Sequence, residues 1–138
     1  MRRILAVDFG DRRTGLAASD YTGTIIVPLE PIVGLTERDC AQEIASIAAD
    51  RDSEVIVIGM PLDRRGLIGP RAERTQRFVA LVRAAAKDRE VATVDETSTT
   101  DEAHQRLKEG GLKAARRKKL ADSVAAIVIL ERYVAASS

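Results

Sequence analysis

Residues 54–59, EVIVIG, form a compact β-branched run set between two stretches of helical spacing. A run of this kind reads as a strand buried on both faces. A strand entered and left through helices pairs in parallel with its neighbours. This segment alone points to a sheet covered by helices on both sides.

The remaining elements follow from local pattern. ILAV (4–7) and TGLAAS (14–19) are apolar segments separated by the charged turn DFGDRR, which contains Gly10; this predicts a hairpin. TIIVPLEPIV (24–33) is a third extended stretch, and Pro28 and Pro31 place it at an edge. Together the three give an antiparallel meander. Around a helix from 36 to about 50, Leu35, Cys40, Ile44, Ile47 and Ala48 recur at helical spacing, with Thr36 as N-cap. Residues 60–71 are rich in Gly, Pro and Arg and read as a loop. Residues 72–87 put Phe78, Leu81, Val82 and Ala85 on one helical stripe, and EVATVDE (90–96) is a fifth strand. Thr99 and Glu102 make a capping box for a third helix ended by Gly110 and Gly111, and a last helix covers 115–134. The expected fold class is α/β: a five-stranded mixed sheet, with a three-strand antiparallel meander, two parallel strands and helices on both faces. It forms one domain over residues 1–138, since 45% hydrophobic content suffices for one core.

Several functional classes are disfavoured. The longest apolar run, VAAIVIL (124–130), falls far short of the roughly 20 residues a membrane span needs. The two N-terminal arginines precede only a short apolar stretch broken by Asp8, unlike a secretory signal. The single cysteine, Cys40, suits a reducing compartment and a role as a small helix filler. With 3% aromatics and no Trp, base stacking on an aromatic platform is not the expected mode of nucleic-acid contact.

Three acids interrupt apolar elements: Asp8 ends the first strand, Glu96 the fifth, and Asp122 lies inside the last helix among Leu120, Ala121, Val124 and Ala125. Strand ends gather at one edge of an open sheet, and a helix packed across it can bring the third acid there. Carboxylates in contact repel in a low dielectric unless a proton or cation intervenes. Oxygen donors with spare water positions suit Mg²⁺ or Mn²⁺, which serve phosphodiester hydrolysis. Each acid also has a structural reading. Asp8 could cap the Gly10 turn, and Asp122 could pair with Lys118 four residues back. Alternation turns only one of Asp95 and Glu96 to the active face, with Glu96 preferred.

The 22 Lys and Arg nearly balance 21 Asp and Glu, so position rather than total charge must identify a polyanion contact. Arg12 and Arg13 follow Asp8, while Arg64, Arg65 and Arg71 sit on the glycine-hinged loop. Arg117, Lys118 and Lys119 in RRKK (116–119) precede Asp122 by about one turn. Such groups bind phosphates without reading bases. They could equally be a solvated helix end. His104 reads as a surface residue. Thr99, Thr100 and Ser123 have no histidine placed beside them, which argues against a hydroxyl nucleophile.

RILAVDFGDRRTGLAASD, VIGMPLDRRGLIGPRAER, VDETSTTDEAHQRL and KKLADSVAAIVILERY together closely resemble the YqgF/RuvX family of Holliday junction resolvases, also assigned as pre-16S rRNA nucleases. The resemblance covers nearly the whole chain in order. It implies a ribonuclease H-like fold, a divalent-metal nuclease, a structured or processed nucleic acid as partner, and a cytoplasmic location. By position it assigns the family's acids to Asp8, Glu96 and Asp122. Where the family commonly has Asp-Glu-Arg, this chain has Asp95, Glu96, Thr97, and Phe9 replaces a common proline. Neither change removes an acid, but the first removes a basic group from that edge. The substrate could be precursor rRNA or branched DNA, and the chain a monomer or a homodimer; junction cleavage favours a two-fold dimer.

Two other classes fit part of the pattern. DFGDRRTG also matches the phosphate loop of the actin, hexokinase and sugar-kinase group, whose members need two lobes around ATP where 138 residues provide one. A non-catalytic module of the same fold could bind RNA or a ribosome-assembly partner.

Overall fold

The computed structural model describes residues 2–96, 105 and 114–137, the side chains of 114–122 excepted. Strands β1 (Ile4–Asp8), β2 (Arg13–Ser19) and β3 (Ile26–Val33) are followed by helix α1 (Glu37–Asp50). Next come β4 (Val55–Met60), α2 (Pro70–Ala85), β5 (Glu90–Asp95) and α3 (Ala114–Ala136). The sheet order is β3-β2-β1-β4-β5. β1, β2 and β3 pair antiparallel, and β1, β4 and β5 pair parallel. This is the mixed sheet expected from the hydrophobic pattern.

Strand alternation divides the core. Leu5, Val7, Ile56 and Ile58 pack with Cys40, Ile44, Phe78 and Val82 of α1 and α2. Ile4, Ala6, Val55 and Val57 pack on the opposite face with Ala126, Ile129 and Leu130 of α3. Burial on both faces explains why β4 has no polar alternation. β3, with Pro28 and Pro31, is an edge strand as expected, since a residue without an N–H is tolerated where no outer ladder exists. Thr36 caps α1, its hydroxyl accepting from the Asp39 N–H at 3.1 Å.

Some details differ from the sequence expectation. α2 begins at Pro70, two residues earlier than the pattern implied, because proline is well suited to the first helical position. The loop accordingly shortens to 61–69. Its buried stripe is Ala72, Thr75, Phe78, Val79 and Val82, with Leu81 only partly buried. Leu35 lies outside the core at 47% exposure. α3 extends past 134 to Ala136. The third helix expected from Thr99 to Gly110 and Gly111 falls almost wholly outside the described residues. No described helix is long and apolar enough to cross a membrane.

Candidate active site

Asp8 is the last residue of β1. Ile4 and Ala6 face α3, whereas Leu5, Val7 and Phe9 face α1 and α2. Alternation therefore turns Asp8 to the α3 face. On β5 the same parity links Ala92 and Val94, which pack on the α3 side, to Glu96. The Glu96 N–H donates to the Met60 carbonyl at 3.1 Å, extending the β4–β5 ladder by one residue. Asp95 points the other way and is exposed, while Glu96 is 8% exposed.

The structure brings Asp8 and Glu96 together, their carboxyl groups hydrogen-bonded to each other. Burial first, then the hydrogen bond and negative charge of Asp8, push the Glu96 carboxyl up to about 9. Arg71 opposes this and Asp95 adds to it. Glu96 thus holds a proton at neutral pH, which is how two carboxyls share one buried space without a cation.

Gly59 makes the arrangement sterically possible. A Cβ there would fall 2.6 Å from Ile129 Cδ1 and 2.9 Å from both Cβ and Cδ of Glu96. The Glu96 side chain therefore crosses β4 over bare backbone, under α3. Gly10 plays a comparable part in the β1–β2 turn, where a Cβ would meet the Arg13 carbonyl oxygen at 2.3 Å.

Asp122 belongs to α3 immediately before Ser123, whose hydroxyl donates to the Leu29 carbonyl at 3.0 Å. Its side chain lies outside the described residues, as do those of Arg117, Lys118 and Lys119. Among the described residues, no group of three or more acids, histidines or cysteines forms a metal site. Arg12, Arg13, Arg64, Arg65 and Arg71 are all exposed. Of these, Arg71 is close enough to bias Glu96, and Arg65 pairs with Asp63 at 3.1 Å. Thr99, Thr100 and His104 are outside the described residues. Cys40 is buried with its thiol 3.6 Å from Thr14 Oγ1, and burial pushes it up, consistent with a packing role.

Pattern reading missed a cluster on the other side of β1. Phe9 stacks on Phe78 with ring centroids 3.9 Å apart and planes 7° from parallel. Arg74 sits over Phe9 and pairs with Asp11 and Glu37. A cavity of about 310 Å³ opens here, lined by Phe9, Gly10, Asp11, Arg71 and Arg74 among others. Arg74 falls three residues after Arg71, one helical turn, which is the signal that relates the two.

The donor set suits a hard divalent cation. Two carboxyls confined together and kept from mutual repulsion by one proton are oxygen donors of the kind such a cation takes. A pH signature follows. In chelator, native Glu96 stays protonated up to about 9, whereas in the unfolded chain it ionises near 4.5. The native state therefore binds more protons across that window, and stability falls as pH rises through it. Thermal denaturation of Glu96→Gln should lack this component, so wild type loses Tm relative to the variant with rising pH. Parallel pH profiles for the two proteins would contradict the assignment.

The chain is similar to known proteins along nearly its whole length. Residues 2–136 match the RuvX family, described as Holliday junction resolvase. A relative named "Putative pre-16S rRNA nuclease" from Endomicrobium trichonymphae is 34% identical over 135 residues, covering 97% of this chain and 96% of that protein. A like-named protein from Chloroflexus aggregans is 39% identical over 131 residues, covering 95% and 92%. Two solved structures share the fold. Thermus thermophilus RuvC in complex with Holliday junction substrate has TM-score 0.63 at 15% identity over 100% of this chain and 98% of that one. The fowlpox virus resolvase bound to junction DNA has TM-score 0.60 at 13% identity over 98% of each chain. With the family match running over residues 2–136 and relatives 34% and 39% identical along nearly their whole lengths, the chain belongs to the RuvX family of nucleases.

Proposed function

We propose that this nuclease hydrolyses phosphodiesters in structured nucleic acid with the help of Mg²⁺ or Mn²⁺, acting in maturation of the 5′ end of pre-16S rRNA, in resolution of four-way junctions, or in both. The observation that carries the reading is the buried Glu96 carboxyl in hydrogen-bonding contact with Asp8. Asp8, Glu96 and Asp122 would hold the cation, which when bound supplies positive charge to activate a water and to stabilise the departing oxygen.

The residues of the chain do the rest. Glu96, which shares a proton with Asp8, would release it to solvent when a cation is held, leaving both carboxylates as oxygen donors. Asp122, on the helix that covers this face, completes the carboxylate set. Arg71, at the cavity wall beside the acids, holds the phosphodiester next to them. Arg12, Arg13, Arg64 and Arg65 are exposed around the same edge and bind flanking phosphates. Arg117, Lys118 and Lys119 extend this contact from the start of α3. Phosphate contacts position a strand without reading its bases, so shape rather than sequence governs choice. The cytoplasm is the compartment that fits such a substrate and a free buried thiol.

The two substrates make different demands. Trimming a precursor RNA needs one site, whereas symmetric junction cleavage needs two sites related by a two-fold axis. Precursor 16S rRNA and junction DNA, each offered with Mg²⁺, Mn²⁺ or chelator, separate these cases, with sedimentation reporting oligomeric state. Cation-dependent cleavage of either substrate supports the nuclease reading. Tight binding of RNA without cleavage, retained in chelator and by Asp8→Asn, would identify a non-catalytic module instead.

A further inference from the structure

Arg74 has no part in the chemistry just described, yet it joins three elements beside it. Its Nε donates to Glu37 Oε1 at 2.9 Å, and its Nη1 donates to Asp11 Oδ1. Its guanidinium carbon lies 5.3 Å from the centre of the Phe9 ring, itself stacked on Phe78. One planar group from α2 thereby holds the first turn of α1, the β1–β2 turn and the residue directly after Asp8.

Stability alone is a weak account of this cluster. Side-chain exposures of 35% for Arg74, 37% for Glu37 and 81% for Asp11 leave the ion pairs screened by water, where such pairs contribute little. Geometry is a stronger one. The guanidinium presents its donors in a fixed plane and adds an attraction to the ring beneath it. Asp8 and Phe9 are consecutive and point to opposite faces, so fixing the ring fixes the peptide that aims the Asp8 carboxyl at Glu96.

We propose that Arg74 is a positioning residue which, through Phe9 and the β1–β2 turn, holds Asp8 opposite Glu96 and so sets the affinity of the site for a divalent cation. The proposal rests on the cation-dependent reading above. It leaves the ligands unchanged and alters only their preorganisation, an effect comparable to that of groups orienting metal ligands from behind.

The test is a Mn²⁺ titration followed by thermal denaturation, which reads binding without requiring cleavage. Arg74→Met keeps an apolar stem over Phe9 and removes the fork. It is expected to raise about tenfold the Mn²⁺ concentration needed for a given gain in Tm. Arg74→Lys, which keeps charge without the plane, should fall between Met and wild type. Asp11→Asn, at an exposed position that threatens no folding, should shift the titration in the same direction by less. Arg77→Met, exposed one turn along α2, should titrate like wild type. A purely structural Arg74 would lower the cation-free Tm and leave the Mn²⁺ concentration needed for a given gain in Tm unmoved. That result in Arg74→Met, or in Arg74→Lys and Asp11→Asn should the first not fold, overturns the proposal alone. A wild type insensitive to Mn²⁺ overturns the cation-dependent reading with it.

Discussion

Asp8→Asn is expected to lower cation-dependent cleavage by at least about 10²-fold, since loss of a direct ligand should exceed the 10–100-fold seen when a group behind a ligand is lost. Folding should not suffer. Asn keeps the shape of Asp8, and its amide oxygen can still accept from the protonated Glu96 carboxyl, so the contact between the two survives in neutral form. In chelator at neutral pH the variant should melt near the wild-type temperature, while losing most of the Tm gain that Mn²⁺ confers. Quantified single-turnover cleavage and thermal denaturation on one preparation check both halves. Wild-type cleavage rates in Asp8→Asn would remove Asp8 from the reaction. A sharply lowered Tm in chelator would show that Asp8 supports the fold instead.

A comparable loss is expected from a position that touches no cation. Gly59→Ala places a methyl group 2.6 Å from Ile129 Cδ1 and 2.9 Å from two Glu96 carbons, distances real side chains do not tolerate. Overpacking of this kind costs about 1–3 kcal/mol. Relief on the helix side requires the end of the Ile129 side chain to swing aside in a packed core, and relief on the other requires the Glu96 stem to shift from its place beside Asp8. A displacement of ~1 Å at a reacting group can cost about 10²-fold in rate. Ile129→Val separates the two effects, because it deletes the atom that lies nearest the added methyl group. Added to Gly59→Ala it should recover part of the lost Tm and little of the lost cleavage. Full recovery of both would show that the pressure falls on α3 alone and that Glu96 does not depend on bare backbone at residue 59.

Much of the architecture was legible along the chain because its signals are local. The β-branched run at 55–58 announced a strand covered on both faces, the prolines at 28 and 31 marked an edge, and Thr36 marked a helix start. The two-residue error at Pro70 came from reading a proline as loop when it also opens helices. Leu35 was grouped with the stripe of α1 by spacing, although it precedes the cap and faces solvent. Asp8 stood out because an acid ending an apolar strand needs a reason; between Asp95 and Glu96, alternation turned one inward without saying which, and Glu96 was only preferred.

The sequence by itself determined the order of elements, the covering of both sheet faces, and the residues whose charge is out of place in an apolar setting. Those properties depend on composition within a few residues of each position. Only the tertiary structure decided that Glu96 rather than Asp95 turns inward to meet Asp8, that residue 59 must be bare for it to do so, and that Arg74 reaches Phe9, Asp11 and Glu37 at once. These relations join residues tens of positions apart. They arise from strand register and helix packing, which fix distances that no local pattern encodes.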